Sequence, residues 1–132
     1  AGKLLIHSAG QTSSSLRSAP QDDFLDSLAE AAGAVAAALS GSIAYVNVAN
    51  NLSVDCDCSS NPAAPDMADI GIFASLDPVA VDQACVDAVY AAPDGASVIE
   101  RIESRNGCRT LEYAEQIGLG SRAYRIVDID KA

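Results

Sequence analysis

Apolar positions along the chain fall into short continuous runs and longer stretches of helical period. Lys3–His7 (KLLIH) is a short apolar run and predicts a buried strand. Ser8–Pro20 is rich in Ser, with Gly and Thr, and reads as a loop. A helix is then expected from near Asp22, with Phe24, Leu28, Ala31, Ala32, Val35 and Leu39 on its apolar face. Asp22 and Asp23 suit the positive end of its dipole, and Gly41 supplies the stop. Ile43–Ala49 (IAYVNVA) is nearly all apolar, as a strand buried on both faces would be. Asn50–Ala68 has no period and contains Pro62 and Pro65, so it reads as a long loop.

Asp69–Ser75 (DIGIFAS) predicts the next strand. Asp77-Pro78 then offers an N-cap followed by proline at the first helical position. That helix should run to about Ala91, with Val81, Ala84, Cys85 and Ala88 inward, until Pro93-Asp94-Gly95 breaks it. A short helix, Ala96–Ser104, carries Val98, Ile99 and Ile102, and Gly107 closes it. Another, Leu111–Ile117, is expected to be capped by Thr110 and ended by Gly118. Tyr124–Ile129 (YRIVDI) predicts a last strand. The order β-α-β-loop-β-α-α-α-β predicts an α/β fold: a single layered domain over residues 1–132, with a mostly parallel sheet of about four strands and flanking helices.

Composition refines this picture. The chain has 132 residues, 49% of them hydrophobic, with no Trp, so its core must rest on Ala, Val, Ile and Leu. Its net charge of −10, from 18 acidic against 8 basic residues, argues against nucleic acid and against anionic membrane surfaces. A cation, a basic partner or a neutral substrate is compatible with that charge, as is plain solubility. No apolar run reaches the length of about 18 residues that a membrane span needs. No basic segment leads into an apolar one as in a signal peptide, so the expected location is cytoplasmic. The chain starts Ala1-Gly2-Lys3 with no Met, which suggests an excerpt, expected to be the C-terminal part of a longer protein.

The segment richest in chemistry is Asp55-Cys56-Asp57-Cys58. In extended chain Cys56 and Cys58 point to one side and the two carboxylates to the other, so both sulfurs can grip one soft metal. A disulfide between them would be strained. Nucleophilic use is disfavoured, because flanking carboxylates raise a thiol's pKa, whereas a cation lowers it and welcomes the carboxylates. Four cysteines in a chain without an export signal read as reduced thiols or metal ligands. The candidate metal ligands are therefore Cys56, Cys58, Asp55 and His7, the only histidine, and the candidate cofactor is a metal ion or an iron–sulfur cluster. The bland alternatives are an acidic loop with two incidental cysteines and a satisfied histidine at a strand end.

If the strands are parallel, His7-Ser8, Asn50–Cys58 and Ser75–Asp77 share one edge of the sheet, where ligands bind in open α/β folds. Asn50 and Asn51 are candidate cofactor-binding residues there, or simply make the turn after the strand. Asp77 reads as a helix cap. Cys85 reads as a buried structural thiol, and Cys108 carries no assignment. No phosphate loop, dinucleotide fingerprint or Gly-x-Ser-x-Gly is present.

Several segments together resemble one family. They are Asn47–Asn51 leading into Asp55-Cys56-Asp57-Cys58, Pro65-Asp66, Asp69-Ile70-Gly71-Ile72, the run Ala74-Ser75-Leu76-Asp77-Pro78-Val79-Ala80-Val81-Asp82-Gln83-Ala84-Cys85, and Tyr113–Gly120. From Phe24 to Asp130 the chain resembles the C-terminal region of the domain-of-unknown-function-362 proteins, named for iron–sulfur centres. The resemblance implies that Cys56 and Cys58 occupy the family's Cys-x-Cys motif. Many members carry a ferredoxin-like insert that this chain lacks, so the resemblance implies that the family's cluster is held outside it; no agreed reaction comes with the family.

Three functions follow as expectations. The first is a metal- or cluster-associated domain using the acidic Cys-x-Cys loop. The second is a non-catalytic scaffold that docks with the remainder of a parent chain, a protein partner or a second copy, and so exposes an apolar patch. The third and weakest is a small-molecule enzyme whose pocket unites His7, Asn51 and Asp77.

Overall fold

The computed structural model describes residues 20–39, 41–55 and 60–131. The expected strand Lys3–His7, with its candidate ligand His7, and both thiols of the Cys-x-Cys motif lie outside the described residues.

Helix α1 spans Gln21–Ala38, and strand β1 spans Tyr45–Ala49. Strand β2 covers Gly71–Ser75, and helix α2 covers Pro78–Ala91. Two short helices, α3 (Ala96–Ser104) and α4 (Arg109–Gln116), complete the order, with a 3-10 turn at Ile129–Lys131.

The sheet corrects the sequence expectation. Among the described residues it has two strands, not about four, and they are antiparallel, with Tyr45 opposite Ser75 and Ala49 opposite Gly71. The fold is therefore not a mostly parallel α/β sheet. A parallel pair needs a crossover, usually helical, to bring the chain back to its starting end. The described residues between β1 and β2, 50–55 and 60–70, contain no helix, and β2 returns antiparallel to β1. Tyr124–Ile129, expected as the last strand, is instead irregular and exposed over residues 124–128 and enters the 3-10 turn at Ile129. Among the described residues neither β1 nor β2 pairs with it.

Helix α2 sits between the sheet and the other helices, packing on both strands, on α3 and on α4. That position explains its burial on several sides: Val79, Val81, Gln83, Ala84 and Val89 are all buried. The centre of the core joins Ala29, Val79, Leu111 and Ala114, with Val86, Tyr113 and Leu119 packed against them.

Helix α1 packs mainly on α4, and it is rotated from the face read in the sequence. Leu25 and Ala29 are buried, while Val35 and Leu39 are 58% and 50% exposed. Polar pairs set the rotation. Arg109 donates a two-pronged hydrogen bond to Asp26, 2.7 Å on each arm, and the Tyr113 hydroxyl donates to Glu30 at 3.1 Å. Contacts advance in step along both helices, so α1 and α4 run side by side in the same direction. At the start of α1, Gln21 donates to the Arg105 carbonyl and Asn106 donates to Asp22, fixing this end to the α3–α4 turn. Thr110 does not cap α4; its hydroxyl points at the Leu25 carbonyl, 3.5 Å away, and the N-cap position is Cys108.

Gly118 ends α4 with φ +75°, and Leu119 N–H returns to the Ala114 carbonyl at 2.9 Å. This left-handed stop satisfies the last carbonyls and drops Leu119 onto the core.

Candidate functional site

The loop that carries the Cys-x-Cys motif starts at Asn50, directly after β1. Asn51 has φ +50°, a left-handed conformation that Asn tolerates better than most residues. Asp69 accepts from the Asn50 side-chain amide at 3.0 Å and from the Asn51 backbone at 2.9 Å. The Asn51 side-chain amide in turn donates to the side-chain Oδ1 of Asn50. The polar groups of both residues thus tie the start of the loop to its end, as a turn requires.

Further along, the loop is drawn together at a neck. The Ser53 hydroxyl donates to the Ala63 carbonyl at 2.7 Å, and Ala63 N–H donates to Asp55 Oδ2 at 3.0 Å. Arg101 Nη2 on α3 stands 3.5 Å from Asp55 Oδ1. Both oxygens of this candidate ligand are therefore engaged, one by the neck and one by a cation.

Helix α3 and the turn before it hold residues 66–68 at the end of the loop. Ser97 donates to Asp66 at 2.7 Å, and Ala68 N–H donates to Asp94 at 2.8 Å. Buried Met67 anchors the same stretch. Ser97, Glu100, Arg101, Ser104 and Arg105 line a shallow cleft with Val54. Sequence reasoning missed these groups; the signal was the polar face of α3 opposite Val98, Ile99 and Ile102.

The antiparallel register separates groups expected on one edge. Asn50 and Asn51 follow Ala49 at one end of the sheet, whereas Asp77 follows Ser75 at the other. A pocket uniting Asn51 with Asp77 is therefore not formed. Asp77 instead caps α2, accepting from Val79 and Ala80 at 2.9 and 3.0 Å through Oδ1. Its Oδ2 accepts from Ser121 N–H at 2.9 Å, which docks the chain after α4.

Cys85 and Cys108 are free thiols, both partly buried. Burial pushes the Cys85 thiol up, as does the Asp82 charge, against a hydrogen bond from Asn47 that pulls it down. Burial likewise pushes Cys108 up, against the nearby Arg122 charge. Among the described residues, no three His, Cys, Asp or Glu side chains come together as a metal site would. Cys85 and Cys108 thus assemble no cluster with the described acids.

Among the described residues, no helix is long and apolar enough to cross a membrane. No curated protein and no solved structure matches the chain. The family match begins before α1, takes in the loop and ends within α2 at Asp87, so it leaves out α3, α4 and the residues after them. Residues 1–87, about two thirds of the chain, match the model described as Domain of unknown function (DUF362), and the chain belongs to that family.

Proposed function

We propose that this domain is metal-associated and that Cys56 and Cys58 are its soft ligands, presented on a loop clamped to α3. The observation that carries this reading is the neck formed by Ser53, Asp55, Ala63 and Arg101, which holds both ends of the short segment containing the two thiols. Soft thiolates favour zinc, copper(I) or an iron–sulfur cluster over hard cations. His7 is the candidate for a further ligand. Asp55 serves the site through the neck, because both of its oxygens are engaged there. When bound, the metal would deprotonate the thiols, which their acidic neighbours otherwise keep protonated.

The test is metal and acid-labile sulfide analysis on protein purified without oxygen, comparing wild type with a Cys56→Ser/Cys58→Ser double variant. Stoichiometric metal in the first and none in the second is expected. No metal in either, before or after reduction and reconstitution, overturns the reading.

A second reading, a scaffold that associates with a second copy of itself, is favoured by the outer face of the sheet. There Val46, Val48 and Ile72 are 59%, 60% and 72% exposed, and Leu76 beside them is 81% exposed. Neither strand, YVNVA or GIFAS, carries a charged residue. Two copies that each bear −10 would meet with least repulsion on such a face.

A further inference from the structure

We propose that the groove between the second half of α1 and the end of α4 is a docking site for a basic amphipathic helix of a partner protein. Helix α2 separates this surface from the sheet, so the inference goes beyond both the metal loop and the outer-face contact.

Residues 31–39 (AAGAVAAAL) form the second half of α1 with its C-cap and hold no polar side chain. The helix packs mainly on α4, and Val35, Leu39 and Ile117 are exposed. Gly33, Ala36 and Ala37 on α1, with Ile117 and Leu119 after α4, line a groove there, and Glu30 stands on its wall. Glycine and alanine let another backbone come close, and Gly33 and Ala37 are one turn apart on the same ridge. The apolar run rises about 12 Å, a little over two turns. That length suits a helix whose apolar anchors recur at i, i+3 or i+4, and i+7.

Charge selects the occupant. α1 carries Asp22, Asp23, Asp26 and Glu30 and no basic residue. It runs in the same direction as α4: Asp26 meets Arg109, Glu30 meets Tyr113, and Gly33 faces Ile117. The C-terminal ends of the two helices therefore point the same way along the groove, each equivalent to about half a negative elementary charge. Neither helix has a basic residue in its last turn. Asp26 is paired with a cation, whereas the partner of Glu30 is the uncharged Tyr113 hydroxyl. An apolar groove with a negative end and a carboxylate on its wall fits a segment that is apolar on one face and bears Lys or Arg beside it. A second copy fits less well, because it brings a net −10 and another α1 without a cation. An anionic membrane surface is repelled for the same reason.

The test is an NMR titration of the full chain with a synthetic amphipathic Leu/Lys peptide of about 15 residues, and with a Leu/Glu peptide of the same pattern. Salt at about 0.15 M screens diffuse attraction to the acidic surface. Amides of Gly33, Ala36, Ala37, Ile117 and Leu119 should shift saturably with the Leu/Lys peptide, and the Leu/Glu peptide should bind at least about tenfold more weakly. Gly33→Leu should weaken the Leu/Lys complex at least about tenfold by filling the groove; its Cβ stands 3.7 Å from Ile117 Cδ1, an ordinary contact. Glu30→Gln, which keeps an acceptor for Tyr113, should narrow the preference for the basic peptide. Should Gly33→Leu fail to fold, Ala37→Gln on the exposed rim takes its place, with loss of affinity expected. Unshifted groove amides, shifts confined to the sheet face, equal affinity for the two peptides, or affinity indifferent to the groove substitutions overturns the proposal. Groove shifts that grow with the concentration of the protein alone also overturn it, in favour of a second copy. None of these readouts depends on metal, so failure here is separable from failure of the Cys-x-Cys reading.

Discussion

At the residue scale, Asp77 does more than the capping its place before Pro78 announces. One oxygen serves the first turn of α2 and the other receives Ser121, so the loop after α4 rests on it. Gly120 makes this approach feasible: a Cβ there would lie 2.0 Å from Asp77 Oδ1. Gly120→Ala should force Asp77 away from both partners and cost about 1–3 kcal/mol, seen as a lower urea midpoint at unchanged slope. An unchanged midpoint would show that the loop yields instead. Asp26 supports a pH prediction. Its hydrogen bonds from Arg109 hold the carboxyl below the ordinary value of 3.8, against a smaller opposing effect of burial. A depressed folded value means stability that is present above the unfolded value and lost as pH falls through the folded one. Asp26→Asn should therefore be less stable than wild type at neutral pH, with the gap closing as pH drops below 3.8. Urea melts at stepped pH check this, and a pH-independent gap would contradict it.

At the element scale, the helices were largely readable. Asp77-Pro78, Gly95 and Gly118 mark the boundaries where the structure has them, because capping and left-handed stops are local chemistry. The face of α1 was not. Its apolar residues form so broad a stripe that hydrophobic period alone does not choose between Val35 and Ala29. The choice is made by Asp26 and Glu30 meeting Arg109 and Tyr113, partners more than 80 positions away. The buried pairing of α1 with α4 predicts the sensitive sites. Leu111→Ala should cost about 2–5 kcal/mol by leaving a cavity, and Ala29→Leu about 1–3 kcal/mol by overpacking. Val35→Ala, on the exposed side, should change little. Denaturant midpoints of the three variants check the ranking, and a large effect of Val35→Ala would restore the face read from the sequence.

At the scale of the whole molecule, an acidic chain leaves the outer face of its sheet apolar and uncharged. Val46, Val48, Ile72 and Leu76 are exposed there, and neither strand carries a charge. Exposed apolar surface that is contiguous and uncharged marks an interaction site more often than isolated apolar residues do. If a second copy covers the sheet, wild type should sediment as a dimer at high concentration and Val48→Asp as a monomer with the same helical content. A monomer at every concentration would remove the scaffold reading. The candidate metal loop lies at the Ala49–Gly71 end of that sheet, so the self-association and metal measurements report on different surfaces.

By itself the sequence determined what depends on neighbours along the chain. It placed the four described helices, the cores of β1 and β2, the Asp77 cap, the long loop after β1 and the family, whose motif run is continuous through Asp82 to Cys85. Only the tertiary structure decided strand direction, because a run of Val, Ile and Tyr reads the same in parallel and antiparallel sheets. It also decided that Tyr124–Asp128 does not pair, since strand propensity needs an available edge before it becomes a strand. The same holds for the site. Asn50 and Asn51 were legible as loop residues, but their engagement with Asp69, and that of Asp55 with Ala63 and Arg101, depends on partners brought close by folding. Local chemistry names the groups a chain can use, and packing between distant segments decides which of them remain available.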